Sequence, residues 1–89
     1  MPPAKPPFTA ADLIENKLYR VKKPFTDYDG RVHPVGESWR FLEKGFLPYE
    51  DGLTLFIAMD GQAVSLRLQW RKETQGEIIE HFSDYIERT

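Results

Sequence analysis

The sequence contains no cysteine. This absence excludes a disulfide scaffold, a zinc ribbon, an iron–sulfur site and any thiol chemistry. No apolar run approaches the roughly 18 residues that a membrane-spanning helix needs. An excess of charge of one sign is missing too, because 12 Lys and Arg stand against 14 Asp and Glu. The overall charge therefore gives no reason to expect a nucleic acid or an anionic membrane as a partner.

Catalytic motifs are also missing from the sequence. It has no Gly-x-Ser-x-Gly elbow, no His-Glu-x-x-His pair, no Walker loop and no Gly-x-Gly-x-x-Gly turn. The spacing Asp27-x-Asp29-Gly30 resembles part of a calcium loop, but the later ligands of such a loop do not follow, and a tight turn explains the same residues. We therefore expect no enzyme, no bound metal and no cofactor. An enzyme that uses loop carboxylates is the third and weakest hypothesis.

Aromatic residues, in contrast, are abundant, with six Phe, four Tyr and two Trp among 89 residues. A chain of this length forms one domain, and large rings supply the core area that such a small domain needs. The rings expected in the core are Tyr19, Trp39, Phe41, Phe56, Trp70 and Phe82. The prolines near the start predict a flexible tail over residues 1–8, followed by a single domain over residues 9–89. We expect no secretory signal, because no long apolar segment follows Lys5.

The middle of the chain alternates between apolar and polar residues in the manner of strands. Residues 18–22 and 37–41 each predict a strand with one buried face. The clearest unit is a hairpin, in which an apolar strand at 53–59 turns at Asp60-Gly61 and returns over 64–70. The stretch between residues 45 and 53 is interpreted as a long loop.

Helices are expected at the two ends of the domain. Thr9-x-x-Asp12 resembles a capping box and predicts a helix over about 10–16. The spacing of apolar residues predicts an amphipathic helix over about 75–88, with an acidic outer face. The fold class is therefore mainly β, either a small SH3-like barrel or a curled antiparallel sheet, with a short N-terminal helix and an amphipathic C-terminal helix.

Three segments resemble a bacterial family of small uncharacterised domains, catalogued as a domain of unknown function. These segments are residues 23–30, 33–41 and 46–53, and the likeness extends over about 17–87. The resemblance implies a bacterial, cytoplasmic protein with no assigned activity. The order of elements is also similar to SH3-like barrels, in which an acidic, aromatic first loop helps to bind peptides, although the usual Ala-Leu-Tyr-x-Tyr run is absent.

The loops suggest where a partner could bind. Aromatic rings stand beside acids in two loop regions, and such loops on a rigid scaffold suit the binding of an extended peptide. The candidate ligand-binding residues are Phe25, Asp27, Tyr28, Asp29, Phe46, Tyr49 and Glu50. The alternative is that these rings fold back to complete the small core.

A second hypothesis is that the chain is a small barrel that binds nucleic acid through basic strand faces. Its candidate residues are Arg20, Lys22, Arg40 and Arg67. The same cations are also typical of any solvent-exposed strand face. The preferred hypothesis is a non-enzymatic module that binds a protein or peptide, while its oligomeric state is not predicted by the sequence.

Overall fold

The structure is a computed structural model that describes residues 8–47, 52–71 and 75–89. The chain is mainly β and folds around one hydrophobic core. The strands are β1 (Leu18–Val21), β2 (Phe25–Thr26), β3 (Val32–His33), β4 (Ser38–Leu47), β5 (Gly52–Met59), β6 (Gln62–Gln69) and β7 (Ile86–Arg88). One α-helix, α1 (Gly76–Glu80), and 3-10 turns at Ala10–Asp12 and Phe82–Asp84 complete the elements.

Five of the strands form an antiparallel sheet in the order β6-β5-β4-β1-β7. The short strands β2 and β3 pair only with each other, as a separate hairpin. Over the described residues the large sheet is not closed, so the prediction of a barrel is wrong and the sheet is an open antiparallel one. The reason is that β2 and β3 pair with each other, so no ladder joins β6 to β7 within the described residues.

The core lies on one face of the sheet. On β5, Leu53, Leu55 and Ile57 are buried, and Leu66 and Leu68 of β6 lie beside them. The predicted core positions Tyr19, Trp39, Phe41 and Phe82 are confirmed, whereas Phe56, on the other face of β5, is only partly buried. The other face of β5 is half-buried rather than fully covered.

Trp70 was also expected in the core, and this prediction is wrong. Its side chain is 37% exposed, because β6 ends at Gln69 and Trp70 lies just beyond the covered part of the sheet.

The predicted turn of the β5–β6 hairpin is confirmed. Asp60 and Gly61 both have positive φ angles, 53° and 80°. These angles are those of a two-residue type I′ turn, whose twist matches the twist of the two strands. The turn fixes the register of the hairpin, with Met59 opposite Gln62.

The N-terminal capping box is present, but the helix that follows it is shorter than expected. Thr9 and Asp12 exchange the two reciprocal hydrogen bonds of the motif. These bonds from Thr9, together with nearby Lys44, hold the pKa of Asp12 below its ordinary value of 3.8. The helical turn stops at Asp12, because Leu13 has extended backbone angles and directs its side chain into the core.

The C-terminal region departs most from the prediction. In place of one helix over 75–88, helix α1 ends at Glu80, a 3-10 turn follows, and Ile86–Arg88 forms strand β7 against β1. The apolar positions Ile79, Phe82 and Ile86 are all buried, as the periodicity predicts. Pairing with β1 provides backbone hydrogen bonds, and this tertiary contact overrides the local helical pattern.

The predicted long loop before β5 is also replaced by strand over most of its described part. Strand β4 continues to Leu47, with a register shift between Phe41 and Glu43 that marks a β-bulge. No helix within the described residues is long and apolar enough to cross a membrane.

Candidate functional site

The hairpin of β2 and β3 places two of the candidate residues in the interior. Phe25 is 5% exposed and stacks on the ring of His33, with ring centroids 4.8 Å apart. The same phenyl ring meets Phe82 and Tyr85 edge-on. Asp27 is 2% exposed. Phe25 and Asp27 therefore belong to the core side of the hairpin rather than to an open groove.

Asp27, His33 and Glu37 form a cluster that we call the histidine clamp. Nε2 of His33 lies 2.9 Å from Oδ2 of Asp27, and Nδ1 lies 2.6 Å from Oε2 of Glu37. The other carboxylate oxygen of Asp27 accepts backbone N–H groups from Asp29 and Arg31. Both ring nitrogens of His33 therefore have a carboxylate oxygen within hydrogen-bond distance.

The clamp uses its polar groups within the fold. The His33 side chain is 6% exposed, so a substrate has little access to it. No group of His, Asp and Glu in the described parts of the chain has the arrangement of a metal site. The clamp is best understood as the device that holds the 27–37 segment in shape.

The tip of the hairpin carries two other candidates, Tyr28 and Asp29, to the edge of the large sheet. The backbone N–H of Tyr28 donates to the carbonyl of Arg67 on β6, with an N···O distance of 2.8 Å. The guanidinium of Arg67 lies 5.6 Å from the centroid of the Tyr28 ring. Nη1 of Arg67 is 3.7 Å from Oδ1 of Asp29. Arg67 therefore joins the hairpin to the sheet through main chain, ring and charge.

A shallow depression lies between this tip and the adjoining strands. It is lined by Tyr28, Gly52, Leu53, Thr54, Arg67, Leu68 and Gln69. It has room for little more than a water molecule. Pockets that enclose small ligands are typically about 300–1,000 Å³. The depression is thus a feature of an open surface rather than an enclosing active site.

Two exposed aromatic side chains lie at the same end of the sheet. Phe46 of β4 is 51% exposed and meets Trp70 edge-on, with ring centroids 6.4 Å apart. Phe46 is paired in register with Leu53, which lines the depression. Tyr28, at 48% exposure, is the third such ring. We call this region, formed by Tyr28, Phe46 and Trp70 where β4 and β6 end and β5 begins, the aromatic end.

The sequence-based site is therefore divided by the fold. Tyr28, Asp29 and Phe46 are exposed, Phe25 and Asp27 are buried, and Tyr49 and Glu50 lie outside the described residues. Trp70 was missed because strict alternation along β6 assigned it to the core. No sequence signal marks its exposure, because the alternation continues through Trp70 and the end of β6 at Gln69 is set by the fold.

The basic candidates lie on exposed positions, and three of the four have partners in the chain. Arg20 forms an ion pair of 2.7 Å with Glu87, and Arg40 donates to the carbonyl of Asn16. Arg67 is held by the hairpin tip as described, and Lys22 is exposed beyond the end of β1. Binding of a phosphate backbone would compete with these contacts.

Comparison with known proteins gives a family and includes a similar solved structure. The family model described as "Domain of unknown function (DUF3601)" matches residues 9–89, and the chain belongs to this family. This confirms the resemblance to an uncharacterised family, whereas the SH3-like layout is not confirmed. No curated protein matches the chain.

The similar structure is an integron cassette protein, VCH_CASS4, from the mobile metagenome of Vibrio cholerae. It shares 35% sequence identity, covers 88% of this chain and 87% of its own, and superposes with a TM-score of 0.85.

Proposed function

We propose that this member of the DUF3601 family is a non-enzymatic interaction module that binds a partner protein through the aromatic end. The observation that carries the proposal is the exposed pair Phe46 and Trp70, at the end of the sheet where Tyr28 contacts Arg67. Trp, Tyr and Arg are the residues most enriched among those that dominate binding energy at protein interfaces. Rings that already contact each other and the sheet lose little conformational freedom on binding.

The shape of the region supports a macromolecular partner rather than a small substrate. The depression is too small to enclose a metabolite, and the histidine clamp is directed inward. An open surface with a few exposed aromatic side chains, such as the aromatic end, is instead suited to contact with the surface of another protein.

The charges indicate the chemistry of that partner. Among the candidate acids that the structure describes, Asp27 is buried and Asp29 is paired with Arg67. Little free negative charge is left at the described part of the aromatic end, so a strongly basic peptide is not favoured. We expect the partner to present apolar or aromatic side chains to Phe46 and Trp70.

The first stage of the test identifies a partner by its position on the surface. A photoreactive phenylalanine analogue is placed at position 46 of the full chain and, as a control, at Val35, which is 63% exposed in a different loop. Irradiation in the native host cells should give a cross-linked partner from position 46 that is absent from position 35. Equal capture at both positions would contradict the proposal.

The second stage measures affinity with that partner in purified form. Because Phe46 and Trp70 are exposed, Phe46→Ala and Trp70→Ala should fold normally and weaken binding by about tenfold or more. Val35→Ala should leave the dissociation constant within about twofold. If calorimetry shows that neither aromatic substitution changes the affinity, the aromatic end is not the binding surface.

A further inference from the structure

The large sheet has two edges, and the β6 edge is only partly covered. In an antiparallel strand, the N–H and C=O groups of every second residue point away from the neighbouring strand. Hydrogen bonds to Arg67 and Gln69 identify the outward positions of β6, because Tyr28 donates to the Arg67 carbonyl and Gln75 bonds both main-chain groups of Gln69. Ala63 and Ser65 are therefore the remaining outward residues of this strand.

The main-chain groups of Ala63 and Ser65 are open. Neither residue forms a main-chain hydrogen bond away from β5 within the described parts of the chain, and both are exposed. The segment from Gly61 to Ser65 contains no charge, and its register with β5 has no bulge. Natural sheets usually block such edges with charges, prolines or bulges, because an open edge is a template for another strand.

The opposite edge, β7, is protected in these ways. It is three residues long and carries Glu87 and Arg88. The exposed β6 edge is thus a specific feature and not a general property of this sheet.

We propose that β6 pairs with β6 of a second copy of the chain, antiparallel and about a two-fold axis at Ala63, to give a continuous ten-stranded sheet. Two strands related by a two-fold axis are antiparallel, so the same edge serves both copies. Ala63 then exchanges two hydrogen bonds with Ala63 of the other copy, and Ser65 lies opposite Gly61.

The length of the open edge fits this register. The ladder cannot continue past Ser65, because the hairpin tip already occupies the edge at Arg67. In the proposed register the second copy reaches its own turn at Asp60-Gly61 at that point, so its chain leaves the edge before it meets Tyr28. The hairpin tip covers the edge of one copy from Arg67 onward, and the turn of the other copy lies where this covered part begins.

The side chains also favour a second copy over a foreign peptide. Gln62, Ala63, Val64 and Ser65 provide neither charge nor a large outward ring by which a particular peptide sequence could be selected. With the copies in this register, Asp60 of one approaches Arg67 of the other, and the symmetry repeats this opposite-charge contact. Such a short ladder buries less area than a standard interface, so the dimer is weak and depends on concentration.

The test uses a substitution that should weaken dimerisation without unfolding the monomer. Proline is tolerated in an edge strand when its missing N–H would face solvent, so Ala63→Pro should keep the monomer folded. Sedimentation from about 10 μM to about 1 mM should show dimerisation of the natural chain, weakened about tenfold or more by Ala63→Pro. The matched control Ala63→Ser keeps the N–H and should dimerise within about twofold of the natural chain. A natural chain that stays monomeric at about 1 mM, or a dimer that Ala63→Pro does not weaken, would overturn the proposal.

A measurement on the unaltered protein covers the case in which Ala63→Pro does not fold. The amide hydrogens of Ala63 and Ser65 should exchange slowly at high protein concentration and rapidly at low concentration, while those of β5 should not change. Exchange that is independent of concentration would refute the dimer. Protection that appears only after another protein is added would assign this edge to a foreign strand and equally overturn the proposal.

Discussion

His33 occupies an unusual environment, with a carboxylate at each ring nitrogen and a phenyl ring on its face. Each contact comes from a different part of the segment 25–37, so the imidazole holds strand β2, the turn and the start of β4 together. Removing one member of a buried, mutually hydrogen-bonded set strongly destabilises a protein, because the remaining members lose their partner. The clamp thereby supports the loop that carries Tyr28 to the surface.

We predict that His33→Ala lowers the free energy of unfolding by about 3 kcal/mol, because it leaves the largely buried carboxyl groups of Asp27 and Glu37 without their shared partner. The matched control is His81→Ala, because His81 is exposed just after helix α1, and its loss should cost less than about 0.5 kcal/mol. Urea denaturation followed by circular dichroism measures both values. Equal effects of the two substitutions would show that the clamp has no special role in stability.

At the scale of elements, sequence patterns worked where the local signal and the tertiary environment agree. The β5–β6 hairpin is of this kind, because alternation, apolar content and the Asp60-Gly61 turn all indicate one structure. The C-terminal region is of the other kind, because the spacing of Ile79, Phe82 and Ile86 suits a helix and also suits the short elements that are present. The choice between them depends on β1, which lies far away in sequence and provides a strand for pairing.

The candidate site, too, was predictable only where the local sequence pattern and the tertiary environment agree. Tyr28 and Phe46 are candidates because of their place in predicted loops, and the sequence leaves their exposure open. Phe46 lies in strand β4, and the contact that positions Tyr28 comes from Arg67 on another strand. Similarly, the clamp depends on a hairpin register that sets His33 opposite Phe25. Local patterns identify such residues as unusual, whereas their partners are fixed only by the tertiary fold.

The start of helix α1 gives a prediction at this scale. Alanine normally stabilises a helix by about 1 kcal/mol relative to glycine. At Gly76, however, an added Cβ would lie 2.7 Å from the carbonyl oxygen of Arg71, which accepts the hydrogen bond of the Gly76 N–H. We therefore expect Gly76→Ala to destabilise the protein by about 2 kcal/mol, because the clash is with main chain and cannot be relieved by a side-chain rotation.

The control for that prediction is Gly45→Ala in strand β4. There the new Cβ would be 3.6 Å from Cε2 of Phe56, an ordinary contact. Because glycine is entropically unfavourable in a strand, this substitution should be neutral or stabilise by up to about 0.5 kcal/mol. Thermal unfolding of the two variants compares them directly, and a stabilised Gly76→Ala variant would show that the turn before α1 can move aside.

At the scale of the whole molecule, one hydrophobic core underlies both the aromatic end and the β2–β3 hairpin. The aromatic end stands on Leu53 and Leu68, which are both buried in that core, and the hairpin tip contacts β6 at Arg67. A binding surface built in this way is formed before any partner arrives. Its stability should therefore equal the global stability of the domain, rather than that of a loop that opens by itself.

The two tryptophans allow this to be measured, because Trp39 is 2% exposed in the core and Trp70 is 37% exposed at the aromatic end. In a Trp39→Phe variant the fluorescence reports the aromatic end, and in a Trp70→Phe variant it reports the core. We predict that, in each variant, the urea midpoint from fluorescence equals the midpoint from far-ultraviolet circular dichroism, because both rings rest on the same cooperative unit. Acrylamide should quench Trp70 and leave Trp39 almost unaffected in the folded state, which checks the assignment. If the fluorescence of Trp70 changes at lower urea than the circular dichroism, the aromatic end opens independently, and a partner would have to order it at a cost in affinity.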